Sequence, residues 1–209
     1  MTQNSSALQR FAGVLAILGW FSLVAQCGLS IRFQMDRGHT AAYGLFMYAG
    51  YFTILTNLFC ALVATAFARP RSPPSHWLAL REPWVVTTAA VSIVMVGAIF
   101  HVLLRHEYQP TGLSALTNLI HHYLVPAGFA VFWWFAVPRR SLMWSDIWRV
   151  FAYPTAYLVY TLMRGEVSGV YPYFFIDVSV IGYARALLNS VGISLIFIAT
   201  GLVFVAAKR

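Results

Sequence analysis

Six long apolar stretches, near residues 11–31, 43–68, 84–104, 114–137, 147–163 and 184–207, occupy most of the chain. A helix needs about 20 predominantly apolar residues to cross a hydrocarbon core of about 30 Å. With no water to satisfy backbone groups in that core, segments of this kind are restricted to helices. The sequence therefore predicts an all-α polytopic membrane protein with six transmembrane helices in one bundle. The fifth stretch is the shortest and contains Arg149 and Pro154. The first follows a basic residue, but its apolar part is too long for a signal peptide and no small-x-small cleavage site follows it.

Composition agrees with this reading. Of the 209 residues, 60% are hydrophobic and only 10% are charged, whereas a soluble domain carries about 25% charged residues. No tandem repeat or long linker divides the chain, so residues 1–209 are expected to form a single transmembrane domain. The N-terminus, the second and fourth loops and the C-terminus hold nine Lys and Arg residues, among them Arg10, Arg71, Arg139 and Lys208, against five in the other loops. By the positive-inside rule both termini are cytoplasmic, as expected of a protein in a bacterial inner membrane. The net charge of +8 then reflects topology and contact with anionic lipid headgroups, and no basic, aromatic groove marks a nucleic-acid partner. Cys27 and Cys60 both fall within spans and read as packing residues, so neither a metal site nor a bound cofactor is expected.

The polar residues within the spans carry the functional signal. Histidine inside a membrane span is costly and marks a functional site by default. The segment "NLIHHYLVP" at 118–126 places Asn118, His121 and His122 in the fourth span, and "YFTILTN" at 51–57 places Thr53, Thr56 and Asn57 in the second. Both spans run inward from the outside, with Thr53 ~15 Å and His121 ~10 Å from their starts at the 1.5 Å rise of a helix, so the two can meet in the outer half of the membrane. Gly50, Thr53, Thr56 or Asn57, Cys60 and Ala64 form one small or polar stripe. Ser114, Thr117 or Asn118, His121, Val125 and Gly128 form another, and such stripes face neighbouring helices. Thr and Asn on them also serve as interhelical hydrogen-bond glue. His122 lies about 100° round the helix from His121, so only one of the pair points squarely into a common site. Pro126 is expected to kink the helix and free a carbonyl near His122.

A hydroxyl becomes a useful nucleophile when a base takes its proton, and neutral imidazole suits that role near neutral pH. Thr53 and His121 thus make a candidate nucleophile and base for acyl transfer, aimed at an ester whose chains already lie in the bilayer. An acid to orient the histidine is missing from the spans; Glu166 and Asp177 lie on the outer side, and Asn118 is a further candidate. Asn57, Asn118 and His122 are candidate supporting groups and oxyanion donors.

The combination of six spans, "YFTILTN", "NLIHHYLVP" and "GVYPYFFID" at 169–177 resembles the androgen-induced, androgen-dependent family of membrane hydrolases and its bacterial relatives. The resemblance implies an intramembrane threonine hydrolase that cleaves fatty acid esters of hydroxy fatty acids or similar lipid-like esters. It implies Thr53, after Tyr51 and Phe52, as nucleophile and His121, five residues before Pro126, as its partner. The family's Tyr-Pro-aromatic segment matches Tyr171, Pro172 and Tyr173. Two departures stand out. Thr56 occupies the position where the animal proteins have Asn or Asp, which makes it a second candidate nucleophile, and Asn118 stands where they have an earlier histidine.

Segment 164–183 is too polar and too interrupted by Gly and Pro to span, yet rich in Tyr and Phe, and is expected to lie at the outer interface and cap the site. Arg164 there could hold a lipid carboxylate bidentately, with Tyr171 and Tyr173 lining the substrate path; the plainer alternative is a snorkelling interfacial arginine. Two other classes remain open. A haem-binding protein would use His101 with His121. A non-catalytic small-molecule carrier would use Thr53, Asn57, Asn118 and His121 as a polar path, although neither an internal repeat nor a broken helix is evident in the sequence. The oligomeric state is not legible.

Overall fold

The computed structural model describes residues 2–69, 75–107 and 109–209, and every regular element among them is helical. In order these are α1 (Thr2–Met35), α2 (Ala41–Ala49), α3 (Phe52–Ala68), the short α4 (Ser75–Ala79) and α5 (Pro83–Ile99), which runs on through a π turn at Phe100–Leu104. There follow α6 (Gly112–Leu119), a second π turn at Ile120–Leu124, α7 (Val125–Ala136), α8 (Asp146–Ser168), a 3-10 turn at Phe174–Ile176 and α9 (Val178–Lys208). Arg71, counted above with the basic end, lies outside the described residues.

Four helical segments are long and apolar enough to cross a membrane: Ser6–Met35, Pro83–Leu104, Gly112–Ala136 and Val178–Lys208, the last interrupted near its start by Gly182 at φ +72°. The pair α2 and α3 makes a fifth if it is taken as one broken span. The fifth apolar stretch of the sequence is indeed helical, but α8 is less apolar than the others because its 23 residues include Asp146, Arg149, Arg164 and Glu166. It also extends past 163 to Ser168 and so absorbs the start of the segment expected at the interface.

Local chemistry accounts for most of these boundaries. Thr40 caps α2, its hydroxyl oxygen accepting from the Tyr43 N–H at 3.2 Å, and Pro83 starts α5, where a missing N–H costs nothing. Gly169, at φ +69°, ends α8 in the left-handed conformation that favours glycine. Asp177 caps α9 by accepting from the Ser179 N–H at 3.1 Å. Pro126 does not break its helix. The chain widens into the π turn immediately before it, one of the adjustments by which membrane helices absorb proline. The freed carbonyl of His122 faces Gly97, and would stand only 3.0 Å from a Cβ added there.

The expected single helix over 43–68 is divided at Gly50 and Tyr51, where the axis bends by 77°. Tyr51 is extended (φ −86°, ψ 131°), so the last carbonyls of α2 lose their helical partners. The compensating donors come from α8 and are described below.

α5 occupies the centre, packed against α3, α7, α8 and α9. Its Val86, Ala89, Ala90 and Ile93 are fully buried, as are Phe129 and Phe132 of α7. Outward faces are strongly apolar, with Ile17, Val24, Phe135, Leu188 and Val203 all exposed. In water such a surface would drive association, whereas lipid tails cover it without penalty.

Candidate functional site

The break between α2 and α3 organises the site. Three carbonyls freed at the end of α2 receive donors from one face of α8. Tyr157 Oη donates to Gly50 O at 2.9 Å, Tyr160 Oη to Ala49 O at 3.4 Å, and Arg164 Nη2 to Phe46 O at 3.2 Å. Arg164 Nη1 also donates to Val170 O at 2.9 Å, and the guanidinium lies 3.9 Å from the centre of the Phe46 ring. A Cβ at Gly50 would sit 2.8 Å from the guanidinium carbon, so this position needs a glycine. Arg164 is buried and directed at backbone carbonyls, and only its Nε lacks a partner.

Immediately beyond the break, Thr53 sits in the first turn of α3 and lines a cavity of about 90 Å³. Polar groups on the wall come from Thr53, Tyr157, Thr161, Tyr173, Ser190 and Ser194; the rest is apolar, including Phe52, Val96, Ile99 and Phe197. None of the lining residues carries a formal charge. Tyr173 lies against the start of α3, its ring edge-on to Tyr51 at 5.8 Å. Burial raises the pKa of its phenol, while hydrogen bonding from the Thr53 side chain and backbone acts in the opposite direction. The phenol is therefore a proton donor at neutral pH. Tyr171 packs its ring directly on Gly165, where a Cβ would fall 2.0 Å from the nearest ring atom.

Thr56 is placed differently. It is fully buried, its hydroxyl pairs with Tyr153 Oη at 3.2 Å, and it is not part of the cavity wall. Asn57, also fully buried, connects the two sequence motifs: its amide nitrogen donates to Thr53 O at 2.8 Å and to His121 O at 3.3 Å. These two bonds fix the amide orientation and leave Asn57 Oδ1 without a partner.

His121 is buried in the π turn with Nε2 unpartnered. His122 bonds the Asn118 carbonyl through Nδ1 at 3.1 Å and stacks on Phe100 at 3.8 Å. The two imidazole planes stand at 87°, so the doublet divides as its helical phase requires. Asn118 keeps an unpartnered Oδ1. The Asn57 amide thus links the backbone carbonyls of Thr53 and His121; no protein group bonds His121 Nε2, and His121 is not part of the cavity wall.

Neither outer carboxylate reaches the histidine. Asp177 caps α9 and Glu166 accepts from Tyr183 Oη. His101 is exposed, with Nδ1 against Tyr123 Oη at 3.3 Å and Nε2 against Arg105 Nη1 at 2.8 Å, an arrangement poorly suited to sharing a haem with the buried His121. Cys27 and Cys60 are free thiols.

Sequence reasoning missed the contributions of α8 and α9. Tyr153, Tyr157 and Tyr160 recur at spacings of four and three, a one-face helical pattern that was legible, whereas Thr161, Ser190 and Ser194 carry no comparable signal. Comparison of the chain with models of protein families, with curated proteins and with solved structures finds no match.

Proposed function

We propose that this chain is a membrane-embedded hydrolase of neutral lipid esters, with Thr53 as nucleophile and His121 as its base. The observation that carries this reading is the placing of Thr53 on the wall of an uncharged cavity, with its backbone joined through Asn57 to the backbone of His121, whose buried imidazole has an Nε2 without a protein partner. Thr56 suits the role less well, because its hydroxyl is buried against Tyr153. Thr53 Oγ1 attacks the ester carbonyl carbon and its proton passes to His121. Collapse of the tetrahedral adduct expels the alcohol, which takes that proton, and leaves an acyl-threonine that water then hydrolyses. The Tyr173 phenol and the Phe52 and Thr53 N–H groups beside it at the start of α3 are the donors nearest the developing oxyanion, since the Ile54 and Leu55 N–H groups already bond Tyr51 O. Asn118 and His122 brace the helix that carries the base.

On this reading the chain crosses the membrane six times in a single bundle, with α2 and α3 as one broken span and α8 as the sixth. Contacts at the helix ends support the arrangement. Gln9 of α1 bonds Ala68 O at the end of α3, and Arg81, just before α5, bonds Ala66 O. Lys208 of α9 bonds Trp134 O of α7. The basic residues Arg81 and Lys208 belong to the end that the positive-inside rule makes cytoplasmic together with both termini. Tyr171 and Tyr173 belong to the opposite cap, above the substrate. Arg164 supports that cap through Val170 O and is more naturally a brace than a carboxylate receptor.

The break between α2 and α3 also favours one alternative. Broken spans with substrate at the break are a feature of small-molecule carriers. A fluorophosphonate probe with a lipid-like tail separates the two readings. Labelling of wild type and of Thr56→Ala, with loss in Thr53→Ala and His121→Ala at equal folded yield, is the result expected of the hydrolase. Well-folded wild type that resists several such probes, yet moves solute in vesicles, would favour the carrier.

A further inference from the structure

One hydroxyl on the cavity wall departs from the habit of its neighbours. Within helices, Thr65, Thr87, Thr88, Thr155, Ser190 and Thr200 each donate to the carbonyl four residues earlier, at 2.7 to 2.9 Å. That back-bond is the usual resting state of a hydroxyl in a helix surrounded by apolar groups. Thr161 of α8 is fully buried, and its Oγ1 makes no well-formed hydrogen bond, being approached only loosely by the Tyr157 phenol. It lines the same cavity as Thr53 and Tyr173. A buried hydroxyl without a partner is destabilising, so its retention on a ligand-sized surface points to a partner supplied from outside the chain.

We infer that Thr161 is the anchor for a neutral carbonyl of an acyl lipid, its hydroxyl donating to the carbonyl oxygen from the α8 side of the cavity while Thr53 faces the same group from α3. The inference deepens the hydrolase reading and rests on the same cavity. Two features define the ligand class. The lining residues include no Arg, Lys or His, so a carboxylate would be desolvated there without a counter-charge, whereas an ester or ketone carbonyl needs only a donor. The volume of about 90 Å³ is well below the roughly 300–1,000 Å³ of pockets that enclose a whole small-molecule ligand. The cavity therefore takes the carbonyl and its flanking methylenes, and the remaining chain leaves through its open side. Hydrolysis converts the accepted neutral group into an excluded anion, which favours product departure.

The test uses full-length protein in detergent with ligands that cannot be hydrolysed. Thermal stabilisation is measured with a long-chain methyl ketone, the alkane of equal length and the corresponding carboxylate at neutral pH. Wild type should prefer ketone to alkane by about 3- to 10-fold in apparent affinity, as one net hydrogen bond allows, and should disfavour the carboxylate. Thr161→Val should abolish the ketone preference while leaving the unliganded protein as stable as wild type or slightly more so, because the substitution deletes an unsatisfied group without changing shape. Thr161→Ser should restore the preference. A ketone preference that persists in Thr161→Val, or is missing in wild type, overturns the assignment, as does carboxylate binding equal to that of the ketone. If the fluorophosphonate experiment fails while Thr161→Val still loses the ketone preference, the hydrolase reading falls and the carbonyl anchor stands.

Discussion

Asn57 is the most informative residue to remove. Its amide nitrogen holds the carbonyls of Thr53 and His121 at 2.8 and 3.3 Å, and the side chain is fully buried. Leucine has the same branched heavy-atom skeleton as asparagine but offers no donor, so Asn57→Leu deletes both bonds. Interhelical hydrogen bonds in membranes average about 0.6 kcal/mol, and bonds in proteins generally contribute about 0.5–1.5 kcal/mol each. One of the two is within α3 and the other joins α3 to the π turn, so the expected loss is about 1–3 kcal/mol. For a chain of this size each kcal/mol shifts the melting temperature by about 2–4 °C, which places the variant roughly 2–12 °C below wild type. Asn118→Leu is the matched control, since Asn118 Oδ1 has no partner and leucine deletes no bond made by that oxygen. The assay is thermal unfolding in detergent, followed by fluorophosphonate labelling below both transitions. Asn57→Leu should lose labelling beyond what its lowered stability explains, because the turns carrying nucleophile and base are no longer tied. A melting temperature within 1 °C of wild type with unchanged labelling would refute the role given to this amide.

Two further outcomes follow from the cap and the α2–α3 break. Arg164→Met removes the guanidinium that serves Phe46 O and Val170 O and should cost about 2–4 kcal/mol as charge-assisted bonds to carbonyls are lost; Arg164→Lys should not rescue it, since one ammonium cannot reproduce the fork, and denaturant unfolding in micelles measures both. Gly165→Ala drives a Cβ into the Tyr171 ring and should destabilise by about 1–3 kcal/mol through overpacking. Gly28→Ala meets nothing within 4 Å and should stabilise by up to about 1 kcal/mol as a helix-interior replacement.

The helical class and the positions of the apolar stretches were legible because lipid leaves a chain few alternatives. The break at Gly50 and Tyr51 was not. Nothing between 43 and 68 looks unlike a helix, and the bend depends on tyrosines and an arginine about a hundred residues later that accept the cost of its open carbonyls. Helical phase required the two histidines to face different surroundings, and His122 does bond the Asn118 carbonyl and stack on Phe100; it left Thr56 and Asn57 as alternatives on the stripe, of which Asn57 reaches the histidine helix. Phase could not decide between Thr53 and Thr56, because that choice depends on Tyr153 filling the space beside one of them. The same limit hid Thr161, whose distinguishing property is a hydrogen bond it does not make. Pro126 was expected to perturb its helix and free a carbonyl near His122; the π turn that precedes it is a backbone solution that composition does not announce.

The most direct test of the central claim is to locate the covalent adduct. Wild type labelled with the lipid-like fluorophosphonate, digested and sequenced by mass spectrometry, should carry the modification on Thr53 within the peptide spanning the start of α3, with Thr56 unmodified. An adduct on Thr56, on Thr161 or on any serine would contradict the assignment of the nucleophile.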